Sequence, residues 1–203
     1  MESESLDRLA QQIGFILEID KLKAVLRQTL LIDRSRRENT AEHSWHLAMM
    51  AITLADHAER PVEIGRVIRM LLVHDLVEID AGDTFVYDLV ANEDKAVREA
   101  QAAERIFGLL PPDQGAELRS LWQEFEARAT PDAAFAAALD RLQPLLHNLH
   151  TEGSTWRQHG ITVEQVIARN RTIADGSQRL WSYVERLIED AVARGFLARK
   201  DPP

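Results

Sequence analysis

Apolar side chains recur every three or four positions along nearly the whole chain, the spacing that lines one face of a helix. Leu6, Leu9, Ile13, Ile16 and Leu17 form the first such stripe. A short helical piece is predicted around Lys21 to Arg27. The stretch from Leu30 to Asn39 has no clean period and is predicted to be an extended, ordered loop. Thr40 is placed to cap a helix that carries Glu42, His43 and His46 and runs to about Glu59. Pro61 opens the next helix, from Val62 to about Ile79, and Ala81-Gly82-Asp83-Thr84 ends it, with Gly82 supplying backbone freedom. Phe85 to Ala91 reads as loop or a single turn. Asn92 is placed to cap a helix ending at Gly108, and Pro111-Pro112-Asp113 opens another containing Leu118, Leu121, Trp122 and Phe125. Thr130-Pro131-Asp132 is a cap followed by proline in the first turn, a strong start signal for the helix carrying Asp140 and Pro144. Thr162 caps a short helix to Asn170, and Gly176 precedes a last amphipathic helix ending near Gly195.

No segment alternates convincingly as a strand, and no repeat, linker or low-complexity tract interrupts the pattern. The expectation is an all-α fold, one domain over residues 1–203, with about seven or eight helices. Its 203 residues suffice for one well-buried core. The formal charge of −9 argues against nonspecific nucleic-acid or membrane binding. The absence of cysteine excludes disulfides, thiolate metal sites, iron–sulfur clusters and cysteine nucleophiles. No apolar signal-peptide core is visible near the start and no run approaches a bilayer span, so a cytoplasmic setting is expected.

The candidate chemistry interrupts the apolar helix of residues 62–79. His74 and Asp75 stand inside Met70-Leu-Leu-Val-His-Asp-Leu-Val, with Glu78 one turn later and Gly82-Asp83 beyond. Positions three and four apart share a helical face, so His74, Asp75 and Glu78 are expected in one pocket. Burying two acids and an imidazole without partners is expensive, and a divalent cation accepts both donor types. His74 and Asp75 join His43 and Asp140 as four candidate ligands on three helices. Two imidazoles and two carboxylates suit Mn²⁺, Co²⁺, Fe²⁺ or Zn²⁺ better than Ca²⁺. Pro144 frees the carbonyl of Asp140; a kink at that ligand and a proline merely tolerated by packing remain alternatives. His46 and His147 lie one and two turns from candidate ligands; facing the same pocket and the commoner structural or surface role of a lone helical histidine stand as alternatives. Trp45, Trp122, Trp156 and Trp181 fall at apolar-face positions, as core or interface residues.

Three motifs carry a resemblance: Arg36-x-Glu38-Asn39-x-x-Glu42-His43-Ser44, then His74-Asp75-x-x-Glu78-x-x-x-Gly82-Asp83, then Asp140. The chain resembles the HD-domain superfamily of metal-dependent phosphohydrolases, and within it the 5′-deoxynucleotidase-like branch, from about Leu22 to His150. The resemblance implies one divalent cation (Mn, Co, Fe, Zn or Ni) held by His43, His74, Asp75 and Asp140. It implies that Glu78 and Asp83 serve the hydrolysis, with their division of labour open. No histidine lies between Asp75 and His147, a departure from two-metal members that favours a single metal.

In that branch an arginine upstream of the first ligand orients the phosphate. Arg27 is the best match, with Gln28, Arg36 and Thr84 as further substrate contacts. Gln28 stands where some relatives have tryptophan, which leaves base and sugar preference open. The implied substrate is a small phosphorylated molecule, a (deoxy)nucleoside 5′-monophosphate, and the implied assembly a homodimer. A triphosphate or non-nucleotide phosphate ester, or a non-catalytic helical scaffold, remain as alternatives.

Overall fold

The computed structural model describes residues 2–88, 90 and 92–199. Leu89 and Ala91, in the segment read as loop or turn, lie outside the described residues. The chain begins with α1 (Glu2–Ile19) and a 3₁₀ turn (Asp20–Ala24). A hairpin of β1 (Leu26–Leu30) and β2 (Arg37–Asn39) follows. Then come α2 (Thr40–Leu54), α3 (Ile64–Val73) and the one-turn α4 (Glu78–Ala81). The second half contains α5 (Lys95–Phe107), α6 (Pro112–Ala127) and α7 (Pro131–His150). The chain closes with α8 (Ser154–Gln158), α9 (Val163–Asn170), α10 (Ile173–Gly176) and α11 (Gln178–Ala193).

The all-helical architecture is as expected; among the described residues the hairpin and an isolated bridge between Thr162 and Ala198 depart from it. Arg27 sits on a strand, not on a helix. β1 and β2 pair antiparallel, Leu26 opposite Asn39 and Leu30 opposite Arg37, with an irregularity between. The strand escapes pattern reading because its inward positions are polar: Thr29 is buried while Leu26 is exposed. The turn is closed by Asp33, whose carboxylate accepts from the Ser35 backbone and hydroxyl, with Arg34 at φ 63°.

The core is organised on α7. Its buried Ala133, Phe135, Ala136, Ala138, Leu139 and Leu142 pack against Leu47 and Ala51 of α2, Val67 and Met70 of α3, and Leu180, Trp181 and Val184 of α11. The small alanines let neighbours come close. At Gly176 an added Cβ would collide with the Ala134 carbonyl, which explains the glycine at the end of α10. A second apolar cluster joins Phe15 and Leu22 to Val73, Val77, Ala103, Ile106 and Phe107. Pro144 lies inside α7, which continues past it to His150. Among the described residues no helix is long and apolar enough to cross a membrane.

Two boundaries shift in ways that matter for the site. The cap of α2 is Asn39, not Thr40: the Asn39 side chain accepts from the Glu42 backbone while Glu42 accepts from the Asn39 backbone. Thr40 is thereby free to point inward, where its hydroxyl donates to Glu78 Oε2 at 3.0 Å. The expected helix over 62–79 also breaks. α3 ends at Val73, and residues 74–77 form a tighter turn with bonds from Leu76 N to Val73 O and Glu78 N to Asp75 O. Gly82 then leaves α4 at φ 73°.

Candidate metal centre and adjoining cavity

Four side chains from α2, α7 and the turn after α3 converge. His43 Nε2 is 3.1 Å from Asp140 Oδ1 and 4.0 Å from Asp75 Oδ2. His74 Nε2 is 3.1 Å from Asp75 Oδ2 and 3.7 Å from Asp140 Oδ1. Ligands bonded at ~2.1 Å to one ion stand ~3.0–3.4 Å apart as neighbours; the two shorter separations fall in that range and the two longer ones lie just above it. The His43, His74 and Asp140 ligand atoms all lie within 4.8 Å of one another.

Hydrogen bonding fixes how the imidazoles face this centre. His74 Nδ1 donates to the Leu71 carbonyl at 2.9 Å, and His43 Nδ1 donates to Gln143 Oε1 at 3.2 Å. Rings held this way turn Nε2 toward two carboxylates, so a proton or a cation must lie between; burial opposes the His74 charge, but Asp75 and Asp140 overcome it and raise that ring well above the usual imidazole range. His74 Nε2 is buried without a hydrogen-bond partner. The donor set and its spacing therefore fit a divalent cation.

The same field sets the protonation tendencies. Burial opposes the Asp75 charge, but His74 and Arg27 overcome it and hold the carboxyl down at about 2. Asp140 is likewise lowered well below its usual value, by His43 and His74 against burial. Glu78 moves the other way: burial and then the Asp75 charge push it well above the usual carboxylate range. Asp83 is raised by burial, with Arg27 pulling in the opposite direction.

A cavity of about 160 Å³ opens on this cluster. Asp75, Glu78, Asp83 and Asp140 line it, with Arg27, Gln28 and Thr84 as the sequence led one to expect. Arg27 Nη1 bonds Asp75 Oδ2 at 3.0 Å and lies 4.0 Å from Asp83 Oδ1, while its Nε lies 3.5 Å from Glu38 Oε2. Arg36 is placed elsewhere. It is exposed outside the cavity and grips Glu42 through both guanidinium nitrogens, 2.6 and 2.9 Å. That pair buttresses the α2 cap, so Arg36 is corrected from substrate contact to local support.

Pattern reading missed the support behind His43. Gln143, fully buried, gives its amide hydrogens toward Glu38 Oε1 and His147 Nε2, the latter at 3.1 Å, while its oxygen takes the His43 proton. His147 Nδ1 in turn donates to the Leu30 carbonyl at 3.0 Å. His46 and His147 thus face this inner network and not the cavity. The available signal was spacing, since Asp140, Gln143 and His147 lie on one face of α7. Trp122, Trp156 and Trp181 are buried, but Trp45 is 63% exposed.

The sequence pattern of the HD domain matches residues 19–181. The chain belongs to the HD-domain family. Among proteins of known name it is 32% identical over 135 residues to the human 5′-deoxynucleotidase HDDC2, covering 66% of this chain and 65% of the human protein. It therefore spans just under two thirds of that relative. The Xenopus laevis 5′-deoxynucleotidase HDDC2 is 30% identical over 73% of this chain and 70% of its own. A crystal structure of a predicted metal-dependent phosphohydrolase from Magnetospirillum magnetotacticum MS-1 superposes with a TM-score of 0.90 at 62% identity, covering 94% of this chain and 96% of that one. A conserved hypothetical protein from Pyrococcus furiosus, 18% identical with a TM-score of 0.60 over 89% of this chain and 99% of its own, shares the fold. This HD-domain chain thus has the fold of a metal-dependent phosphohydrolase.

Proposed function

We propose that this HD-domain protein hydrolyses (deoxy)nucleoside 5′-monophosphates to nucleoside and orthophosphate, using one divalent cation held by His43, His74, Asp75 and Asp140. The observation that carries this reading is the pair of Nε2 atoms facing two carboxylates that line a cavity also holding Arg27. Relatives named 5′-deoxynucleotidase support the choice of substrate. The cation, Mn, Co, Fe, Zn or Ni, supplies charge neutralisation at phosphate and a lowered pKa for nearby water.

The chain's own residues do the rest. The Arg27 guanidinium, already poised between Asp75 and Asp83, offers a planar fork to the phosphate oxygens. Thr40 anchors one oxygen of Glu78, leaving the other for proton traffic. Glu78 and Asp83 divide two tasks: one directs the attacking water at phosphorus, the other protonates the departing 5′ oxygen as the P–O bond breaks. Gln28 and Thr84 line the route to the sugar and base. Orthophosphate release from a panel of nucleotides with Mn²⁺ or Co²⁺ tests the reading. Release from 5′-monophosphates is expected; none from any of them, with metal demonstrably bound, defeats it.

The assembly we infer is a homodimer. The α1 stripe is exposed in the isolated chain, from 46% at Ile13 to 68% at Leu17, and Trp45, Met49 and Ile52 make a second exposed apolar stripe on α2. Apolar faces of that extent are covered in stable proteins, and a second copy is the simplest cover. Light scattering should give twice the chain mass, and Leu17→Glu should halve it. A monomeric wild type at micromolar concentration overturns the dimer without touching the proposed chemistry.

A further inference from the structure

The cavity extends past the candidate metal centre, and its far part is basic. Arg141 on α7 and Arg169 on α9 both line it and both are half-buried. Arg27 is held by Asp75 and Glu38. By contrast, neither Arg141 nor Arg169 has a salt bridge or hydrogen bond among the described residues, in a chain with 33 acidic side chains. Two half-buried guanidinium groups facing one space repel each other and lose hydration, a cost that an anion between them would offset.

Arg141 directly follows Asp140 of the centre along α7, while Arg169 lies on α9, beside Asn170. Burial raises the Tyr87 pKa, while its bond to Asn170 and both arginines oppose that rise. Asn148 lines the same cavity; it is 7% exposed, its Nδ2 donates to the Pro144 carbonyl and its Oδ1 is buried with no partner. That oxygen lacks a donor, which a sugar hydroxyl would supply.

We propose that Arg141 and Arg169 form a second anion subsite, so that the preferred substrate is a phosphomonoester whose leaving group carries a phosphate of its own. This rests on the phosphohydrolase reading above. The scissile phosphate lies at Asp75, Asp140 and Arg27, a hydroxyl of the linking sugar at Asn148, and the second phosphate between the two arginines. A nucleoside 3′,5′-bisphosphate with a free 2′-hydroxyl answers this description, whereas in a nucleoside 5′-diphosphate both phosphates lie on one side of the sugar. A single arginine also suits the O6 and N7 edge of guanine, but two guanidinium groups about one hydroxyl suit a dianion better.

Two measurements decide it. In the first, Mn²⁺-loaded protein is given adenosine 5′-monophosphate, adenosine 5′-diphosphate, adenosine 3′,5′-bisphosphate and guanosine 5′-monophosphate. The bisphosphate should exceed the adenosine monophosphate in kcat/KM by about tenfold, through KM. Arg169→Gln and Arg141→Gln should shrink that ratio toward one, and Arg169→Lys should restore part of it. In the second, calorimetry on metal-free protein compares adenosine 3′,5′-bisphosphate and adenosine 5′-diphosphate with adenosine 5′-monophosphate. The bisphosphate should bind about tenfold more tightly than the monophosphate, an advantage lost in Arg169→Gln. Equal affinities for all three in that titration overturn the subsite, as does an advantage that survives in the double glutamine variant. An Arg169-dependent preference for the guanosine monophosphate, with no gain from a second phosphate, also overturns it. If no substrate is turned over, the phosphohydrolase reading fails while the calorimetry still decides the subsite.

Discussion

His43 belongs to two clusters at once. Its Nε2 faces Asp140, Asp75 and His74, and its Nδ1 faces Gln143, around which Glu38, His46 and His147 gather. Both clusters bring three imidazole or carboxylate ligand atoms within 4.8 Å. They differ in what lies at the centre. In the inner cluster the Gln143 amide supplies the protons that Glu38 and His147 require, and the Leu30 carbonyl accepts the remaining proton of His147. In the outer cluster the Nδ1 atoms are already committed to Leu71 and Gln143, so each Nε2 meets the carboxylates and needs a proton or a cation between. Residue type alone does not separate a metal centre from a satisfied polar network; the location of the protons does.

The largest expected effect comes from removing an outer ligand. Asp75→Ala or Asp140→Ala should lower phosphate release by about a thousandfold or more, the loss of several kcal/mol of transition-state stabilisation. Circular dichroism should still report a folded helical chain. Activity within tenfold of wild type would place the chemistry elsewhere. Gln143→Leu should act next most strongly. It leaves Glu38 and His147 without their donor and lets the His43 ring turn, so metal affinity should fall about 10–100-fold, and stability by about 1–3 kcal/mol. Metal titration and urea unfolding read the two effects separately, and an unchanged metal affinity would show that the clusters are independent.

Gln143→Glu sharpens the contrast further. It replaces the central donor with a third kind of acceptor, and elemental analysis after dialysis should show metal per chain rising from one toward two. A value fixed at one would mean that the inner cluster excludes cations for reasons other than its amide. Arg36→Gln, remote from both clusters, should be smallest. Its exposed, solvent-screened pair with Glu42 predicts a small loss of stability in urea unfolding, with KM unchanged. A several-fold rise in KM would return Arg36 to the substrate site.

Much of this was legible in the order of residues. Helix positions followed from apolar spacing, and the four candidate ligands and two flanking acids stood out as polar interruptions of apolar runs. Three things were not legible. The hairpin that carries Arg27 hides polar side chains and exposes Leu26, the reverse of the pattern that marks a strand. Asn39 and Thr40 are both acceptable caps, and only the inward bond from Thr40 to Glu78 separates their roles. The stripes of α1 and α11 read alike, yet Leu180, Trp181, Val184 and Ile188 are buried while Leu6, Leu9, Ile16 and Leu17 are not. Amphipathicity says which face of a helix avoids water, and the neighbouring element decides whether anything covers it.

The order of amino acids by itself determined that this chain is helical and holds a set of residues suited to a divalent cation and a phosphate, because helical period and side-chain chemistry are local properties. Tertiary structure alone decided which nitrogen of each imidazole faces the centre, that Gln143 closes the inner cluster, that Arg36 stays outside, and that Arg141 and Arg169 share one cavity. Those outcomes depend on hydrogen bonds and burial between segments as far apart as His43 and Gln143, one hundred residues in sequence, and no local pattern encodes such a partner.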